Sequence, residues 1–549
     1  MKISMGKLAD RAFLILLLGL IFLFIVYPIV SITAISFRGK DGFSLDYYKD
    51  ILSGDNLTLI GNSLWVAASS SLISTFFSVT IALFAFACSK KTRRFIQNAA
   101  MMAMISPPFI SSLAFIVLFG RRGLITRGLL GLSMNPYGPA AVILLQAIGG
   151  IAYGALMLIV ALEQIDGYQI MAARDLGAKG STVIRKIVLP SLWPGILSVF
   201  FVRFTMSLAD FGTPIIVGGN FRVLATEAYL TAISTPHLGK AAAISILMVP
   251  SAMIAFYFYR NNMKAISESN VMKEGLEGEV RLKLPRSFTL FTGFCTGLYF
   301  LIIALKYGVT ILSAFANTSG RSLQLTLDYF TRLSPNVYKS LLHSVIFSLL
   351  AGLLSSFIGI AISYYLERRK LPFMPVVEFI TSLPYIIPGI FFGLGYVAAF
   401  SKQPLYLRGT ATILISNYIF RQLTVSIKAA NTAFKGISEN VDRAGQDLGA
   451  SPLSIFFRIL LPQVKQSFTS SFITVFTSSM SAVGAIVFII SPGMSVASIE
   501  LFQSTEVGEY GVASVQALFM IGIVAFVNLL ALKLSKPKSA AKAKIKVQS

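Results

Sequence analysis

Twelve apolar stretches, each long enough to cross a hydrocarbon core about 30 Å thick, dictate what this chain can become. They fall at 12–37, 62–88, 96–119, 140–162, 191–218 and 241–259, then at 288–315, 340–366, 374–400, 410–430, 466–490 and 512–533. Inside lipid every backbone N–H and C=O has to be satisfied within the protein, so stretches of this length are expected as helices. The predicted fold class is all-α, a polytopic membrane protein with about 12 transmembrane helices. Composition agrees, since 55% of the 549 residues are hydrophobic and 13% charged, against about 25% charged in soluble domains. The first stretch lacks a small-residue cleavage site at its end and is read as a retained span. Pro28, Pro107, Pro194, Pro214 and Pro250 lie within spans and are expected to kink them.

One long hydrophilic run, 260–287, interrupts the pattern and reads as a linker between two halves, 1–259 and 288–533, each with six spans. SLDYY at 44–48 and TLDYF at 326–330 are similarly placed, and basic turns at Lys90, Lys91, Arg93, Arg94 and at Arg368, Arg369, Lys370 also correspond. An even number of spans between equivalent segments gives the halves one orientation, a parallel repeat about an axis along the membrane normal. Residues 38–61, 120–139 and 219–240 are read as connections on the outer side. The tail, 534–549, is basic and suits anionic membrane lipid.

The formal charge of +24 would suggest nucleic acid in a soluble chain. Here it reflects lysine and arginine gathered in the loops of one membrane face, which the positive-inside rule makes cytoplasmic, so no nucleic acid is expected as a partner. Both termini, the linker and two equivalent loops, 163–190 and 435–465, are assigned to that face.

Those loops repeat one another. Asp175, Leu176, Gly177, Ala178, Leu189 and Pro190 recur as Asp447, Leu448, Gly449, Ala450, Leu461 and Pro462, every pair 272 residues apart (447 − 175). Asp166 is a helix-start signal with Gln169 three residues on, and Gly177 suits a left-handed helix end. A second helix is expected to start at Ser181 in one copy and at Ser451-Pro452 in the other. The result is a helical hairpin that leaves Ala172, Ala173 and Leu176 free to dock a partner.

At these residues the chain resembles the permeases of ATP-binding-cassette importers, whose loop reads Glu-Ala-Ala, three residues, Gly, then Leu-Pro. The resemblance implies that Ala172, Ala173, Asp175, Leu176 and Gly177, with Ala444, Asp447, Leu448 and Gly449, couple to an ATPase dimer on the cytoplasmic side. It also implies a solute-binding protein outside and a bacterial inner membrane as location. The pattern departs from the family where Met171 and Arg443 replace its Glu and Gly445 its second Ala. LADFGTPIIVGGNFRVLATEAYL at 208–230 and SAVGAIVFIISPG at 481–493 further resemble fused two-half permeases for ferric iron. A thiamine, polyamine or aminoalkylphosphonate importer is the alternative, and an ion-coupled secondary transporter the rival from another class.

The chain carries no GxxxxGK[ST] loop, so it is not expected to be an enzyme; ATP would be used by the partner subunit and no cofactor bound by this chain. With His237 and His343 the only histidines, no metal site or triad is arguable, and Cys88 and Cys295 read as buried thiols. Ionisable groups within spans are candidates for a path. Arg203 and Asp210 are seven apart on one face of the fifth span; Lys306 and Glu378 lie nearer the interfaces. Gly212, Ser478, Ser479 and Ser481 complete the candidate translocation path through close helix packing.

Overall fold

A computed structural model describes residues 5–39, 42–107, 109–132, 134–234, 238–270, 285–317 and 324–535. The chain is almost wholly helical, with two short antiparallel hairpins at Arg38–Gly39 with Gly42–Phe43 and at Ala316–Asn317 with Gln324–Leu325. The first half runs α1 Met5–Ser36, α2 Leu57–Ala87, α3 Lys90–Met104, α4 Ile110–Phe119, α5 Pro139–Glu163, α6 Gly167–Asp175, α7 Gly180–Ala209, α8 Gly212–Val217, α9 Leu224–Ser234 and α10 Leu238–Asn270. The second runs α11 Arg286–Phe315, α12 Pro335–Arg369, α13 Met374–Ile386, α14 Gly389–Phe400, α15 Ala411–Lys435, α16 Asn440–Asp447, α17 452–463, α18 Lys465–Met480, α19 Ala497–Val507 and α20 Tyr510–Ser535. Residues 271–284 of the expected linker and 536–549 of the expected tail lie outside the described residues.

The order repeats: α1 to α6 match α11 to α16, α7 matches α17 with α18, and α9 and α10 match α19 and α20, while turns stand in the second half where the first has α8. Among the described residues eight helices are continuous and apolar enough to span: α1, α2, α5, α7, α10, α11, α12 and α20. A ninth is the pair α13 and α14, bent by 108°. The remaining three of the twelve predicted stretches depart from plain spans for visible reasons. Stretch 96–119 is broken between α3 and α4, where Phe109 takes a left-handed φ of 68° before Ile110. Stretch 410–430 is helical as α15 but carries Arg421 and Lys428. Stretch 466–490 stops as a helix at Met480 and continues as turns.

Two further expectations need correction. The fifth stretch, 191–218, ends its helix at Ala209, because the carboxylate of Asp210 accepts the backbone N–H groups of Gly212 and Thr213 at 3.1 Å and starts the separate α8. Residues 219–240, read as an outer connection, contain α9, whose Leu224, Ala225, Ala228 and Tyr229 are buried. The kinks are accommodated by neighbours, as a membrane interior demands. Pro28 supplies no N–H to the carbonyl of Phe24, and the Tyr396 hydroxyl of α14 donates to that carbonyl instead at 2.9 Å. Gly395 allows the approach, since a Cβ there would sit 2.9 Å from the Pro28 carbonyl oxygen.

The halves exchange their first helices. α1 packs against α14 and touches α17 of the second half, while α11 packs on α2 and α4 of the first. Reserved for the interior of each half are serines in place of bulky side chains: Ser355, Ser356, Ser426 and Ser471 join α12, α15 and α18 by hydroxyl bonds of 2.7 to 3.1 Å. Small hydroxyl residues let the helices approach closely where lipid gives no hydrophobic drive to associate.

Candidate functional site

The repeated loops form two helical hairpins on one face of the molecule. In the first, Asp166 caps α6 by accepting the Tyr168 N–H at 2.9 Å. The helix ends in a Schellman turn: Gly177 donates to the Arg174 carbonyl at 2.8 Å and Ala178 to that of Ala173 at 2.9 Å. The second copy repeats it, Gly449 donating to Gln446 at 2.9 Å and Ala450 to Gly445 at 3.0 Å. Gly177 and Gly449 have φ of 81° and 79°, a region that penalises any Cβ. Each turn thrusts out one leucine, Leu176 at 89% exposure and Leu448 at 88%. Ala172, Asp175, Ala444 and Asp447 flank them and are exposed, and Ala173 is half-buried. The second helix of the first copy begins at Gly180, so Ser181 lies inside it. In the second copy Ser451 does cap, accepting the Ser454 N–H at 3.3 Å.

Where the family pattern has Ala, Gly445 is buried, and a Cβ there would lie 3.0 Å from Ile455. The first copy has Ala173 against the smaller Val183, so one methyl has changed sides between the copies. The second loop also has a brace. Arg368, at the end of α12, pairs with Asp442 at 3.2 Å and donates to the carbonyls of Phe434 at 3.0 Å and Ile437 at 2.6 Å. Lys370 holds Glu439 at 2.7 Å. From the swapped α1, buried Asp10 accepts from the Tyr365 hydroxyl at 3.0 Å and from Arg369 at 3.2 Å, Gly6 lies against Ser451, and the Phe13 ring sits among Tyr365, Phe456 and Phe457. The first-loop equivalents of Glu439 and Asp442, 272 residues back, are Gly167 and Ile170, which carry no charge. The Lys370 hydrogen bond holds the Glu439 carboxyl below its ordinary range. Burial pushes the Asp442 carboxyl up, against the opposing pull of Arg368.

Between the halves lies the candidate path. Arg203 does not pair with Asp210. It donates to the Gln146 carbonyl of α5 at 2.9 Å, while the Gln146 side chain bonds Asp210 at 3.1 Å and accepts the Ser207 hydroxyl. A Cβ at Gly150 would overlap the Arg203 guanidinium, so glycine there provides the slot in which it lies. Tyr153, one turn further along α5, is within hydrogen-bonding reach of Tyr385 from the other half. Arg421 lies against Gly389, and Lys428 stands 5.3 Å from the Tyr259 ring centroid and 5.9 Å from that of Tyr385. The sequence reading missed Gln146, Tyr153, Tyr385, Arg421 and Lys428. The signal available was Arg421 and Lys428 seven apart within a predicted span, the same spacing that marked Arg203 and Asp210.

Further from the docking loops along α7, past Arg203, five rings from both halves meet. Phe109 and Phe502 are 4.9 Å apart between centroids, Phe211 and Tyr229 4.9 Å, Tyr229 and Phe488 5.9 Å, and Phe211 and Phe502 6.0 Å. Gly212 lies under the Phe109 ring, and a Cβ on Gly484 would be 3.5 Å from Phe211. Gly212 is thus part of an aromatic seal. The Ser479 hydroxyl is buried and has no hydrogen-bond partner, and Ser478 and Ser481 flank it half-exposed at the end of α18. Lys306 is elsewhere: it donates to Ser106 at 3.2 Å, beside Tyr307, whose hydroxyl donates to the free carbonyl of Ile105 at 3.0 Å where α3 breaks. That pair satisfies the break. No group of three metal-ligating side chains occurs among the described residues.

The family model for the binding-protein-dependent transport system inner membrane component matches residues 74–268 and again 348–538. The ferric transport system permease protein FbpB of Actinobacillus pleuropneumoniae is 28% identical over 99% of this chain and 81% of its own length. A putative ferric transport system permease protein FbpB 1 of Haemophilus influenzae is 27% identical over 89% of this chain and 79% of its length. The molybdenum transport system permease protein ModB of Mycobacterium tuberculosis is 30% identical, but over 35% of this chain and 74% of itself. Two matched segments, one in each half and each containing one of the two hairpins, place the chain in the family of binding-protein-dependent transport system inner membrane components.

Proposed function

We propose that this chain is the membrane subunit of a binding-protein-dependent importer for ferric iron, with both pore halves in one polypeptide. The observation that carries the substrate is full-length similarity: ferric permeases match 99% and 89% of the chain, whereas a molybdenum permease matches 35% of it. An ATPase dimer engages Leu176 and Leu448, one hairpin per subunit, from the cytoplasm, and both termini share that side. A solute-binding protein delivers cargo at the opposite face, above the aromatic seal. With those five rings packed together the passage is shut on that side, and opening it requires the halves to part. Reconstituted with its ATPase and binding protein, the complex is expected to accumulate radiolabelled ferric iron only when ATP is supplied on the hairpin side. A cognate binding protein that held an aminoalkylphosphonate and ignored iron would remove the iron assignment and leave the importer.

A further inference from the structure

Both half-interfaces hold an arginine that the protein leaves short of acceptors. Arg203 uses Nη2 on the Gln146 carbonyl and Nη1 on the Met206 sulfur, and its buried Nε has no hydrogen-bond partner among the described residues. The buried Nη1 of Arg421 has none either. Each guanidinium rests on a glycine of a neighbouring helix, Gly150 or Gly389, where even a methyl group would displace it. Lys428 adds a third cation on the Arg421 face of α15, seven residues further on. The nearby carboxylates form no hydrogen bond to them among the described residues: Asp210 acts on Arg203 through space while its oxygens hold Gln146 and two backbone N–H groups, and Glu378 faces Lys428 together with another cation, Arg260. Tyr153, beside Arg203, bonds Tyr385 of the other half, whose ring centroid lies 5.9 Å from Lys428.

A guanidinium held inside a bundle without its full set of acceptors is costly and is retained where something else completes it. Its planar fork suits paired oxygens of phosphate or carboxylate. It repels a bare trivalent cation. We infer that the passage takes its cargo as a complex sheathed in anionic oxygen ligands, which Arg203 and Arg421 grip in turn as it crosses. This deepens the iron reading and rests on it for the metal alone.

The test uses the full complex in proteoliposomes, with the binding protein loaded with radiolabelled iron plus labelled phosphate in one arm and labelled citrate in the other. One of the two anion labels is expected to enter with the iron, and the arm in which it does identifies the ligand. Arg203→Gln and Arg421→Gln should each lower uptake at least tenfold, with Arg203→Lys and Arg421→Lys recovering part of it, while ATPase co-purification is unchanged. Iron entering with neither label in the wild-type complex would overturn the inference without reference to any variant, as would uptake by the double Gln variant at the wild-type rate. Should the complex ignore iron but accumulate labelled aminoethylphosphonate through the same two arginines, the iron reading falls and the anionic cargo stands.

Discussion

Gly177 and Gly449 are where a single atom decides most. Their φ of 81° and 79° makes any Cβ cost on the order of 1 kcal/mol, and the same residues sit beside the exposed leucines. Gly177→Asp or Gly449→Asp should leave the protein inserted while lowering ATP-driven uptake and the yield of co-purified ATPase; a double variant that transported normally would remove the docking role. Gly445 makes a sharper case. Adding a methyl 3.0 Å from Ile455 should destabilise by about 1–3 kcal/mol through overpacking. Gly445→Ala combined with Ile455→Val recreates the Ala173 and Val183 pair of the first copy and should restore the melting temperature, an interaction that a double-mutant cycle isolates. Asp442 tests charge. Because burial raises its folded pKa, ionisation works against the folded loop, and that carboxyl's contribution declines as pH rises through the raised value. Asp442→Asn should therefore preserve ATPase co-purification and flatten its decline as pH rises from the ordinary carboxylate range through the raised value. Glu439 has the opposite sign: its pKa is depressed by Lys370, so its contribution persists at neutrality and is lost only in acid. The glycine positions were legible in the sequence because a repeat across 272 residues singles them out. The Gly445 exchange was not, since nothing in a linear string shows which residue of the next helix a methyl would meet.

At the scale of elements, the apolar pattern located the long helices but not their interruptions, and it passed over α9 and α19, which lie between the predicted stretches. Hydropathy is blind to a carboxylate such as Asp210 turning to cap a new helix, and to a break such as that before Ile110, because the residues stay apolar through it. Arg421 and Lys428 were hidden for the same reason, diluted by their greasy neighbours. The reciprocal exchange of α1 and α11 left no trace in the sequence, as span order does not encode which spans touch. That exchange makes a prediction about distant ends of the chain. Asp10→Ala removes the partner of Arg369 and Tyr365 and should loosen α17 beneath the second hairpin. Cross-linking of a Leu448→Cys protein to the ATPase should fall severalfold, while cross-linking through Leu176→Cys stays unchanged; equal loss at both would show a global rather than a local effect.

For the whole molecule, the parallel duplication puts both hairpins on one side, and the lysine and arginine gathered there predict that this side is cytoplasmic. Leu176→Cys and Leu448→Cys, each almost fully exposed, should react with an impermeant thiol reagent only after the inner membrane face is opened. Reaction in sealed cells would reverse the orientation. A permease assembled from two identical subunits has to offer identical hairpins, whereas two halves fused in sequence are released from that restriction. Here the freedom has been used: one hairpin is held by ion pairs at Asp442 and Glu439, where the other has the uncharged Ile170 and Gly167. If both hairpins seat on one ATPase dimer as proposed, contacts of unequal stiffness would not yield together under the same pull, and the nucleotide cycle would acquire a leading and a trailing stroke.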